Sequence, residues 1–530
     1  MRRLKEQVAR TPPPQWVRVI GGFTDQQFAE KRLPTLDEIN AVAPDTPVFI
    51  MHLYDRALLN RAALRAAGYT KDTPNPPGGL IVKDARGEPA GLLLAEPNAF
   101  VLYSALAKGP KLPCEYQLNS TRHFMRELNR LGLTSVVDAG GGFQNYPDDY
   151  KVIEDLHERH QLTVRIAYNL FPQKAKEELS DFTRWAGMFK PHQGDDFYRH
   201  NGAGEMLVFS AADFEDFQQP RPDISAAMEP DMEAVVRLLV ANRWPFRLRA
   251  TYDQTIARAL DVFEKVNRDI PFNGLHWFFD HAETVSDKSL ERIARLGGGV
   301  AVQHRMAYQG EYFVARYGQQ AAERTPPIKR MLDMGIPVGA GTDATRVASY
   351  DPWNALYWMV TGKTLGGHRL YPQANLIDRE TALRPYTHAN TWFSNEEDHK
   401  GRVQVGHLAD LAVLSADYFK VAEEDIRHIM SSLTVVGGKV VYAAFDFKSL
   451  DPPLPAPMPD WAPTRSYGGY PKPTLQEARL QRRQDDTARL NCGCSRVCGV
   501  HGHAHTAANG APAADRAGFW GALGCACWAV

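Results

Sequence analysis

Val338-Gly339-Ala340-Gly341-Thr342-Asp343-Ala344-Thr345-Arg346 decides the fold. A short run of small and β-branched residues predicts a buried strand, and this run delivers an aspartate to the strand's C-terminal end. In barrels of alternating strands and helices, chemistry is done at that end of the strands. Function is therefore sought around Asp343.

Upstream of the run, short β-branched stretches alternate with helical patterns, the signature of βα units around a parallel sheet. The spacing predicts seven strands, at 134–138, 163–170, 206–210, 246–250, 275–281, 299–303 and 337–342. Between them, 255–263 and 287–296 carry apolar residues at helical spacing. The nearest architecture is an α/β TIM-like (β/α)8 barrel over 131–400 with its first strand missing, although an unclosed sheet would leave an exposed edge.

The flanks differ in texture. Residues 1–130 read as a cap or insertion, with strands expected at 16–23 and 48–53 and helices at 36–42 and 58–67. Residues 401–445, with glycine turns between β-branched runs, predict a small partial β-sandwich. A proline-rich linker follows over 446–485, and 486–530 form a Cys/His-rich tail.

The composition suits a globular protein: 530 residues, 44% of them hydrophobic, can bury a large core. The 61 basic and 62 acidic side chains leave a net charge of −1, without the cationic excess that a nucleic-acid partner calls for. The basic N-terminus lacks a following apolar segment, and no run of about 18 apolar residues occurs. These features lead us to expect a cytoplasmic protein with a small-molecule substrate and no membrane or nucleic-acid partner; the oligomeric state is left open. Cys114 stands alone while the other five cysteines crowd the last forty residues, so the body is not built on disulfides.

Asp280-His281-Ala282-Glu283 and Ala340-Gly341-Thr342-Asp343, with His407-Leu408-Ala409-Asp410-Leu411 and Val436-Gly437-Gly438-Lys439-Val440-Val441 after them, together resemble the metal-dependent amidohydrolase superfamily, in its YtcJ-like, amidohydrolase family 3 branch. The resemblance implies a divalent metal, usually zinc, at the barrel mouth, which activates a water for attack on a carbonyl carbon. It implies that His281 is a metal ligand. It also implies that Asp343 is both a metal ligand and the proton-transfer residue in hydrolysis of amide-type, non-peptide C–N bonds of small molecules. The alternative duties are ordinary ones: a loop hydrogen bond for His281 and a helix cap for Asp343.

Three departures from the family pattern stand out. The His-x-His pair expected at the first strand is absent, which we read together with the missing strand as a chain beginning after both. Arg249 occupies the strand-five place where histidine is expected, and a guanidinium cannot shed its proton to bind a cation. No strand-four lysine is found, and Glu205 is the nearby ionisable substitute for a metal bridge. His304 and Arg305, after the strand predicted at 299–303, are candidates for substrate contact, as is Asp55 in the cap.

The tail carries a separate signal. Cys492, Cys494, Cys498, His501, His503, His505, Cys525 and Cys527 concentrate ligands that suit zinc or copper(I), without the spacing of a known finger. Two readings follow: an amidohydrolase whose metal set is depleted, and a non-catalytic binding protein of the same fold with a metal-binding tail.

Overall fold

The computed structural model describes residues 1–96, 99–140, 146–172, 174–213 and 217–491, the side chains of 485–491 excepted. The tail ligands from Cys492 to Cys527 lie outside these residues.

Seven strands form one parallel sheet, and we number all strands in chain order. After β1 (Val17–Ile20), β2 (Val48–His52), β3 (Arg56–Leu59), β4 (Gly79–Lys83) and β5 (Pro89–Ala95) come the barrel strands. These are β6 (Ser135–Asp138), β7 (Arg165–Leu170), β8 (Tyr198–Ala203), β9 (Phe246–Ala250), β10 (Trp277–His281), β11 (Gly299–Gln303) and β12 (Val338–Gly341). They pair in sequence order from β6 to β12. Helices between successive strands cover the outside; in Asp253–Asp269 the buried residues Ile256, Ala259, Leu260, Phe263 and Val266 recur at helical spacing. Phe263 packs edge-on against Phe246 and Trp277, at centroid separations of 5.4 and 5.1 Å.

Six of the seven strand expectations match. The exception is 206–210, where the apolar residues form a loop and the turn Phe209–Ala211, while the strand is Tyr198–Ala203. That strand buries His200 and Asn201 and has no apolar alternation to betray it. In the first hundred residues, 58–67 splits into the end of β3 and the helix Arg61–Ala67, with Asn60 as its cap.

β6 and β12 are the edges of the seven-stranded sheet. On the free side of β12, the Asn390 side chain stands in for a neighbouring strand: the Ala340 N–H donates to its Oδ1 at 3.0 Å, and its Nδ2 donates to the Ala340 carbonyl at 2.7 Å.

β1 to β5 form a separate sheet, ordered β1-β2-β3-β5-β4. It meets the barrel where β1 ends: Gly21 and Gly22 pack on the loop after β12, and the Gly22 N–H donates to the Arg346 carbonyl at 3.1 Å. β13 (Leu411–Leu414), β14 (Ser431–Val436) and β15 (Lys439–Ala443) make a three-stranded antiparallel sheet. It is fastened to β7 by the Arg165–Asp410 ion pair, with N–O separations of 2.7 and 3.0 Å. The proline-rich 451–473 contains no strand. It lies against the body, where Lys472 donates to Asp351 at 2.8 Å in a fully buried pair.

Candidate functional site

A cavity of about 700 Å³ includes the C-terminal ends of the barrel strands and extends down them past Phe278 and Ala301 to Ser135 at the start of β6. Its wall includes Asp138 at the end of β6, Glu205 after β8, Arg247 and Arg249 of β9, His281 and Gln303 closing β10 and β11, and Asp343 just past β12. His281 and Asp343, which come from strands two places apart in the sheet, therefore face one cavity.

Both residues hold the left-handed backbone conformation, at φ 76° and 50°. This conformation is unfavourable for a residue with a side chain, and it concentrates where a side chain must leave a strand end at an unusual angle.

Arg305 joins the two. Its Nη2 donates to Asp343 Oδ2 at 2.8 Å and lies 3.1 Å from His281 Nδ1, while Nη1 donates to Glu283 Oε1 at 3.2 Å. Arg305 is fully buried and is absent from the cavity wall, so it acts from behind the carboxylate. The His281 ring nitrogen Nδ1 also sits 2.6 Å from Gln303 Oε1, and Nε2 lies 3.5 Å from Glu205.

The electrostatics follow from this packing. For Glu205, burial alone would favour the neutral acid, but Arg249, with its Nε at 3.4 Å, and His281 outweigh it and hold the carboxyl well below the usual range. For His281, burial and the Arg305 and Arg249 charges oppose protonation. The hydrogen bond to Glu205 and the Asp343 charge prevail and raise its pKa. Arg247 forms a buried bidentate pair with Asp280.

The remaining expected site residues lie elsewhere. His304 is 1% exposed, stacked edge-on against Tyr308, and does not line the cavity; burial pushes its pKa down to about 3. Asp55 is buried in the first sheet, bonded to His52 Nδ1 at 2.8 Å and to Gln218 Nε2 at 3.0 Å. Sequence reasoning assigned no role to Arg346, although it closes the opening run; it lines the cavity with its guanidinium 4.7 Å from the Tyr103 ring centroid.

A metal is what the resemblance leads one to expect, and the donors do not fit one. Among the described residues no group of three or more His, Cys, Asp and Glu side chains is arranged to hold a metal ion. His281 and Asp343 share Arg305 as their common neighbour, and Arg249 stands beside Glu205, so fixed guanidinium charges occupy the ground between the oxygen and nitrogen donors. The described residues also include no helix long and apolar enough to cross a membrane.

Comparison with known proteins gives consistent matches. The family model described as "Amidohydrolase family" matches residues 1–442. YtcJ of Bacillus subtilis (strain 168) is 24% identical over 451 residues, 83% of this chain and 82% of that one. The N-substituted formamide deformylase of Arthrobacter pascens is 26% identical over 444 residues, 81% and 80% of the two chains. Among solved structures, an uncharacterized metal-dependent hydrolase from Pyrococcus horikoshii OT3 superposes with a TM-score of 0.56 at 19% identity, covering 79% of this chain and 81% of that one.

Proposed function

Because the chain belongs to the amidohydrolase family, we propose that it hydrolyses amide-type, non-peptide C–N bonds of small molecules, with Asp343 as the proton-transfer residue. One observation carries this reading: Asp343 and His281 converge on a single cavity and share Arg305 as their link. The deformylase relative, named for N-substituted formamides, supports the bond type.

Hydrolysis needs a proton removed from the attacking water and returned to the departing nitrogen. Arg305 binds Asp343 Oδ2 from behind, and Asp343 lines the cavity, which leaves carboxylate lone pairs for a water inside it. Arg249 and His281 bring positive charge to the wall on which the carbonyl oxygen develops negative charge.

The test is amine release from a panel of N-formyl and N-acyl amines by the purified chain and by Asp343→Asn. Loss of at least about 100-fold in kcat/KM with an unchanged fold is expected. A second reading, a non-catalytic small-molecule binding protein, is favoured by the arginines that stand among the donors. Saturable binding of the panel without Asp343-dependent turnover would decide for it.

A further inference from the structure

We propose that Arg346 anchors a carboxylate on the molecule that enters the cavity, which makes the ligand a monoanion with an apolar body. This rests on the hydrolase reading for the bond that is cleaved and not for the binding itself.

Arg346 differs from the other arginines of the site. Arg247 is neutralised by Asp280, Arg305 by Glu283 and Asp343, and Arg249 faces Glu205. Arg346 also lines the cavity and is partly buried, yet no described carboxylate lies within 4 Å of it; the Asp343 charge acts on it from farther away, and its immediate neighbours are Tyr54, with which it hydrogen-bonds, and the ring of Tyr103. A guanidinium withdrawn from water calls for an anion, and its planar fork matches a carboxylate.

The position is also built. The Arg346 carbonyl accepts from the Gly22 N–H at 3.1 Å, and Gly21 leaves room for that approach because a side chain there would collide with the same carbonyl. Arg346 follows Asp343 by three residues, so the anchored anion lies beside the proposed reacting centre. Arg247, Arg249 and Arg305 are already matched by Asp280, Glu205 and Asp343, which leaves Arg346 as a place for one anionic group.

Aromatic side chains on the cavity wall favour an apolar ligand body. Phe100 and Tyr103 lie one turn apart on the helix Phe100–Leu106 and both line the cavity. Phe100 and Phe124, which also lines it, remain 44% and 43% exposed. Exposed aromatics on a concave wall mark a place for apolar ligand surface.

The probes are 4-phenylbutyrate and 4-phenylbutanol, neither of which contains a C–N bond, titrated calorimetrically into the full chain. The carboxylate is expected to bind at least about tenfold more tightly than the alcohol. In Arg346→Gln that preference falls to near unity while alcohol affinity stays within about twofold, which also shows that the cavity is intact. Arg346→Lys, which keeps the charge, is expected to retain part of the preference; if the glutamine variant does not bind the alcohol, the lysine variant decides. Equal binding of the two probes by the wild type, binding of neither, or a preference that survives Arg346→Gln overturns the proposal. Charge-dependent binding without amine release sinks only the hydrolase reading. Equal binding alongside Asp343-dependent amine release sinks only this one.

Discussion

Arg305 Nη2 holds Asp343 Oδ2 at 2.8 Å from a position with no exposure to solvent. A buried guanidinium with carboxylates on two sides, Glu283 and Asp343, is satisfied only as a set. The geometry fixes an aspartate that sits on strained backbone just past a strand end, where a lone carboxylate would otherwise swing.

Removing that cation is expected to be expensive. Arg305→Met takes the Arg305 charge away from the buried Glu283 and from Asp343, and a loss of about 3–5 kcal/mol is expected in urea unfolding. A double variant that also changes Glu283 to Gln should recover part of the loss. Equal stability of Arg305→Met and wild type would contradict the arrangement.

Acid should unfold the protein through its buried histidines. Burial lowers the pKa of His200 to about 4 and that of His304 to about 3, so both are neutral in the native state, whereas the unfolded chain takes up protons near pH 6.5. The unfolded state therefore binds more protons as pH falls from about 6.5 toward 4, and stability drops by about 1.4 kcal/mol per pH unit for each histidine. Unfolding free energies measured across this range should fall less steeply in His304→Leu; an unaltered slope would show that His304 is protonated in the native state.

Two glycines with similar positive φ separate conformation from crowding. Gly68, at φ 70°, has open space where a Cβ would go, while Gly21, at φ 64°, faces the Arg346 carbonyl. Gly68→Ala should cost about 1–2 kcal/mol, the ordinary penalty for a left-handed residue. Gly21→Ala should cost clearly more, since backbone must move as well. Comparable melting points for the two variants would mean that β1 does not dock on that loop as described.

Chelation gives a fourth check. With guanidinium groups set among the available donors, the body is expected to keep its unfolding midpoint after dialysis against EDTA, within about a degree. A fall of several degrees would reveal a stabilising metal bound by the folded chain.

Much of this was legible in the sequence because periodicity and strand-end chemistry are local. The runs ending in His281 and Asp343 announced buried strands with ionisable residues at their C-terminal ends, and both residues reached one cavity. Arg249 was recognised as foreign to metal binding, and it lies beside Glu205. The rest depended on tertiary contacts. β8 buries His200 and Asn201 where a strand is expected to show apolar alternation, so the apolar stretch beyond it was read as the strand. His304 and Arg305 were expected to face substrate together, yet one packs against Tyr308 and the other lies behind Asp343. Arg346 gave a visible signal, an arginine three residues past the strand-end aspartate, but its want of an acidic partner is a property of space.

The Asn390 amide on β12 has a consequence for how the sheet breathes. A ladder distributes its hydrogen bonds over several residues, so that one can break while the others hold; here two side chains hold the strand end, Asn390 at Ala340 and Tyr386, whose hydroxyl donates to the Gly341 carbonyl at 3.0 Å. Ala340 lies three residues before Asp343, so transient release of that amide would loosen the very strand end that carries the carboxylate, and solvent deuterium should enter the Ala340 amide before it enters the interior strands.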